Sequence, residues 1–259
     1  MTNRIYGGLD GDFLFKCVSA SRQNPKITSI YISGHNPSVF GGTEEDLWEV
    51  GGTRVEDYTP VVISSVSTSA DDAAGGTGAQ MIRIDGLDAN GDAINEMVMM
   101  NGLTPVLTTQ VFSFVLLTVV ILSGSSGNAI GSIASSAGGN DQALILPSFN
   151  HSSGAFYRVP RGYTGFFTDT YVSGGPNDDF VGDYQVKPAG TNTFVSIAAI
   201  EISNSNLYSA NYAPPAGPIA ELMIIKLRCI AVSNNVNARG SFNMTIIRND
   251  YLASLVSLV

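Results

Sequence analysis

"GGTGAQMIRIDGLDANGDAINEMVMMNG", Gly75 to Gly102, sets a glycine cluster before Asp85, Asp88, Asn90, Asp92 and Glu96 and closes on an alternating apolar run. As chemistry it reads as a metal- or phosphate-binding loop; as structure it reads as a turn between two strands. An EF-hand loop needs oxygen ligands at positions 1, 3 and 5, glycine at 6 and a bidentate glutamate at 12. Counted from Asp88, Asn90 and Asp92 fall correctly, but Ala93 takes the glycine position and Met99 the glutamate position. "GGTGAQ" lacks the Gly-Lys-Ser/Thr of a phosphate loop. "QMIRI" and "EMVMM" have strand composition, and Asn90-Gly91 between them supplies positive φ at little cost. The stretch therefore reads as a β-hairpin.

The same grammar recurs outward from the hairpin. "TPVVISSVST", "YTGFFTDTYV", "NTFVSIAAIEI", "LMIIKLRCIAV" and "SFNMTIIR" are β-branched runs bounded by Gly, Pro, Asn, Asp or Ser. Ile225, Leu227 and Cys229 alternate with Lys226 and Arg228, the period of a half-buried strand. No segment carries a long helical period. "VFSFVLLTVVIL", Val111 to Leu122, is too short and too interrupted for a membrane helix of ~20 residues and suits a buried strand pair. The fold expected is all-β: two β-sandwich, jelly-roll-like domains with an extended N-terminal arm and a short C-terminal tail.

The Gly- and Ser-rich segment Gly124–Gln142 reads as a linker or packed loop. The expected boundaries are therefore an arm over 1–35, a β-rich domain over 36–147, a sandwich over 148–250 and an apolar tail over 251–259. Phe13, Phe15, Leu252, Leu255 and Leu258 find no obvious place in two sandwich cores and are candidate subunit contacts. Trp48 joins them as a core or interface anchor.

Composition excludes several functions. Charged residues are 14% of the chain against a usual ~25%, net charge is −9 and lysines number four. Nucleic-acid binding needs a cationic face that this chain lacks. Cys17 and Cys229 form no zinc or redox pattern and read as free and buried. The N-terminus has no secretory h-region, so no export signal and no membrane partner are expected. His35 and His151 are the two histidines, and neither stands near a nucleophile motif, so both read as loop histidines. Glu44/Glu45 and Asp178/Asp179 read as solvated turn acids, and no catalytic residue, cofactor or metal is assigned. A glycan binder would instead gather Tyr163, Tyr171, Tyr208 or Tyr212 in one groove.

Two blocks resemble virion structural proteins of tailed bacteriophages, especially aquatic ones. One runs from "LWEVGG" through "ISSVSTSADDAAGGTGAQMIRIDGLDANGDAINEMVMMNGLTPVLT" to "GSSGNAIGSI"; the other joins "YRVPRGYTGFF" to "ELMIIKLRCIAVSNNVNARGSFNMTII". The resemblance spans about residues 45 to 248. It implies a non-enzymatic capsid decoration or cement protein that binds the major capsid protein and copies of itself, as a homotrimer, on the particle exterior after synthesis in the host cytoplasm. The alternatives are a neck or tail component, collar or adaptor, and a receptor- or glycan-binding virion module.

Overall fold

A computed structural model describes residues 26–56, 59–175, 178–202, 207–232 and 235–256. The fold is all-β, as expected, in two packed sandwiches. The larger one holds β1 (Ile27–Val39), β2 (Glu44–Asp46), β10 (Phe156–Arg158), β11 (Tyr163–Ser173), β12 (Phe180–Lys187), β13 (Val195–Ile202), β14 (Leu207–Ile219), β15 (Ile224–Ala231) and β16 (Val236–Arg248). One sheet runs β1-β16-β11-β14 and the other β10-β15-β12-β13, with β2 also on β15. β2 pairs with Arg228 to Ile230 and β10 with Ile224 to Lys226. The two short strands thus lie end to end on β15 as one interrupted strand, and the sandwich has the order of an eight-stranded jelly roll.

The interruption is the second sandwich. Its strands are β3 (Val61–Ser67), β4 (Ala79–Leu87), β5 (Ala93–Met99), β6 (Val106–Phe112), β7 (Phe114–Ser123), β8 (Ile133–Ala137) and β9 (Asn140–Ile145). They form sheets β6-β3-β8-β9 and β5-β4-β7. The chain enters and leaves through a neck closed by an antiparallel bridge between Trp48 and Gly154.

Each sandwich has its own apolar core, one around Phe167, Tyr184, Leu227 and Phe242, the other around Ile63, Ile82, Ile84 and Phe112. Alternation along the strands builds both, because successive side chains point to opposite faces. The hairpin forms as expected: β4 pairs β5 from Met81–Met99 to Leu87–Ala93. Asp88 Oδ1 accepts the amides of Asn90 (2.8 Å) and Asp92 (2.9 Å), with Gly91 at φ 85°. Ser113 divides "VFSFVLLTVVIL" into β6 and β7, as expected.

Strand pairing redraws the expected boundaries. β1 pairs with β16 from Ile27 to Val39, so residues 27–35 are a strand of the larger sandwich and not an arm, and 36–56 belong there too. The supposed linker is largely the β8–β9 hairpin. Its Ser135 is fully buried and satisfied by other hydroxyls: Ser135 Oγ lies 2.9 Å from Ser65 Oγ and 3.2 Å from Thr118 Oγ1. Hydroxyl pairing lets a sheet interior carry a composition that otherwise marks loops. Residues 249–256 form a helix, α1 (Asn249–Val256), docked on its own sandwich where Thr164 donates to Asn249 Oδ1 at 2.8 Å.

Candidate functional site

Three places bear on function: the seam between the sandwiches and one outward sheet face on each. At the seam Trp48, Leu87, Phe114, Phe156 and Ile224 form a small apolar cluster. Arg54 lies 3.9 Å from the Phe156 ring centroid and donates to Gln142 Oε1 (3.0 Å) and the Val115 carbonyl. Below it Lys226, 2% exposed, pairs with the fully buried Asp46 at 3.0 Å, and Arg228 reaches both Asp46 and Glu44. The alternation read for β15 holds, but its polar face meets Asp46, Glu44 and Phe194 instead of water. Asp46 also accepts the Arg54 amide at 2.8 Å, so one carboxylate ties three basic residues across the neck. Burial raises the Glu56 carboxyl above its usual range, against the pull of Lys226 and Arg54. At the hairpin tip, a Cβ on Gly91 would sit 2.2 Å from Leu222 of the larger sandwich, and Arg161 donates its amide to the Gly91 carbonyl.

The outward face of β5-β4-β7 is largely apolar. Met81 lies between Met99 and Leu122, Arg83 between Met97 and Val119, and Asp85 between Asn95 and Leu117. Met97 is 60% exposed and Leu122 46%, and the one ion pair on the face is Arg83–Asp85 at 2.9 Å. From strand spacing the patch covers roughly 300 Å².

The outward face of the jelly roll is the opposite in character. Nine alternate residues of β1, β16 and β11, beyond the bulge between Phe167 and Asp169, point outward in three rows: Tyr31, Asn243, Asp169; Ser33, Ser241, Tyr171; and His35, Arg239, Ser173. The segment after β9 crosses above them. There Ser153 donates its hydroxyl to the Ser33 carbonyl (3.3 Å) and its amide to Glu49 Oε2 (2.6 Å). The result is a cleft of about 840 Å³ between the sandwiches, rimmed by Phe149, His151 and Glu49. Asn243 donates to Asp169 Oδ1 at 2.6 Å, fixing both head groups. Burial raises the Glu49 carboxyl to about 8, partly offset by the Ser153 amide. Desolvation lowers His35, against its bond to Asn237.

The expected subunit contacts fare differently from one another. Trp48 is 4% exposed and donates to the Gly51 carbonyl within its own chain, so it anchors the seam instead of a partner. Leu252 is 6% exposed within α1, so its side chain is buried within its own chain. The side chain of Leu255 and all of Phe13, Phe15 and Leu258 lie outside the described residues. The histidines are corrected as well. His35 is on a strand, and the fold brings both imidazoles to one cleft. Glu45 is buried and accepts amides from Phe40 and Gly52, and Glu44 pairs with Arg228, so neither is a solvated turn acid. Of the tyrosines weighed for a groove, Tyr171 lines the cleft, whereas Tyr163 and Tyr208 pack on the jelly-roll core. Tyr31 and Phe149 were not singled out. Period-two alternation in "SIYISGH" was the available signal for Tyr31.

No protein-family model matches the chain, and no curated protein does either. Among solved structures, the infectious bursal disease virus VP2 subviral particle is similar at 10% identity over 86% of this chain and 72% of that one, with a TM-score of 0.23. The Gx strain structure of the same virus gives 10% identity, 88% and 83% coverage and a TM-score of 0.15. Superposition at this level assigns neither a fold family nor a role.

Proposed function

We infer that the protein is a non-enzymatic structural component of a tailed-phage particle, a decoration protein that binds the major capsid protein shell from outside after synthesis in the host cytoplasm. The observation that carries this is the apolar face of β5-β4-β7. A patch of roughly 300 Å² is the size of the largest on an ordinary monomer, and patches of that size often mark a contact surface. The face sits on a rigid insertion held by a buried seam, so little ordering is lost when it docks. A shell repeats one contact many times, and a homotrimer at a local threefold position engages three neighbours together, which multiplies weak contacts. The jelly roll is shared by capsid and lectin domains, which is an argument by fold analogy alone. The resemblance of residues 45 to 248 to phage virion proteins points the same way.

Imaging of purified particles with this chain labelled tests the reading. Trimers spread over the shell, with β5 and β7 against the capsid protein, are the expected result. A ring at one vertex would replace decoration by a neck or tail role. Particles free of the protein would end the virion reading.

A further inference from the structure

The geometry points to a second, separate site: the polar cleft above β1, β16 and β11 binds a neutral oligosaccharide. This holds whether the protein sits on a shell or a tail, because the floor of the cleft is β1, β16 and β11 whereas the apolar patch is on β5, β4 and β7.

The ligand class follows from the lining. Two phenol rings, Tyr31 at 65% and Tyr171 at 41% exposure, stand on the sheet, and the Phe149 ring, 52% exposed, stands on the rim. Aromatic faces in water next to fixed polar groups suit ligands that are apolar on one face and rich in hydroxyls at the edge, as pyranose rings are. The polar groups are of the matching kind. Asp169 and Asn243, locked to each other at 2.6 Å, present an acceptor and an amide side by side. Arg239 adds a planar donor fork two rows away, and vicinal hydroxyls match either arrangement.

Other ligand classes fit less well. Arg239 is the single Lys or Arg lining the cleft in a chain of net charge −9, so phosphate-rich ligands find little attraction. An apolar ligand would leave serines, amide and carboxylate without partners. An extended peptide adds to a sheet edge, whereas the aromatic and polar groups of this site stand on a sheet face, with β16 and β11 paired on both sides. Hydrolysis has no support in the hydrogen bonding: His35 Nε2 meets Asn237 Oδ1 at 2.9 Å, and among the described residues neither imidazole is bonded to a carboxylate or a serine hydroxyl. Near neutral pH the raised Glu49 carboxyl holds its proton and offers a donor, consistent with an uncharged partner.

The test is an oligosaccharide array probed with the full chain, then calorimetry with the strongest neutral hit on wild type, Tyr31→Ala, Tyr171→Ala and Tyr31→Phe. Both alanine variants should weaken binding at least tenfold with unchanged melting temperature, and Tyr31→Phe, which keeps the ring, should bind within threefold of wild type. No neutral glycan bound, binding indifferent to both alanine variants, or binding confined to sulfated glycans and abolished by salt would each overturn the proposal. Release of new reducing ends from a bound glycan would overturn it in favour of hydrolysis.

Discussion

The two outward sheet faces are built from the same geometry, three antiparallel strands with alternate residues turned to solvent, and they differ in nearly every side chain. On β5-β4-β7 that face is Met81, Met97, Met99, Val119, Leu117 and Leu122 around one ion pair; on β1-β16-β11 it is tyrosines, serines, Asn243, Asp169, His35 and Arg239. The apolar face gains most from exclusion of water and suits a permanent partner. The polar face stays hydrated and suits an exchangeable ligand. The difference teaches that one sheet surface specifies its partner through the alternate positions that the core does not use.

The comparison depends first on the seam that keeps the faces at a fixed angle. Lys226→Ala strands the fully buried Asp46 beside an emptied site, and breaking a buried pair this way costs about 3–5 kcal/mol. Urea denaturation measures it, and a loss under about 1 kcal/mol would show that the buried pair beneath the seam contributes no more than an exposed one. Next in size is the pair Met97→Lys and Met99→Lys on the apolar face. Both side chains are exposed, so stability should stay within about 0.5 kcal/mol while incorporation into particles is lost. Normal incorporation would remove the apolar face from the docking argument.

A smaller effect sharpens the polar side. The Glu49 carboxyl is raised from 4.5 to about 8, so between those values the folded chain holds a proton that the unfolded chain releases. Its contribution is fully present below about 4.5 and is lost as pH rises through about 8. Glu49→Gln should therefore flatten the fall in denaturation midpoint between pH 5 and 8.5, and an unchanged slope would refute the assignment. The smallest effect expected is none at all: because Asp88 is committed to the amides of Asn90 and Asp92, a chelator should leave the melting temperature unchanged. A fall of many degrees, reversed by calcium, would restore the metal loop.

Local pattern was legible where a residue's neighbours in sequence are also its neighbours in function. The Asn90-Gly91 turn, the Ser113 break between β6 and β7 and the alternation of Ile225, Leu227 and Cys229 all depend on spacing along one strand, and each is present. Composition misled where a partner from far away changed the meaning of a residue. The serines of β8 look like linker until Ser65 and Thr118 are seen bonded to Ser135. Lys226 looks solvent-facing until Asp46, 180 residues away in sequence, and Phe194 close on it. Trp48 reads equally as core or interface anchor until Phe114 and Phe156, more than sixty residues on, close around it.

Period-two alternation, turn chemistry and low charge determined by themselves that this chain is an all-β protein of short paired strands, because those signals act within a few residues. The tertiary structure alone decided that the smaller sandwich, β3 to β9, is an insertion in a jelly-roll strand and that β1 belongs beside β16. It alone placed Tyr31, Tyr171, Glu49 and the two histidines around one cleft. The physical reason is range: hydrogen-bond pairing and burial join residues as distant as Ile27 and Ile247, and no local pattern records which strand a strand will choose.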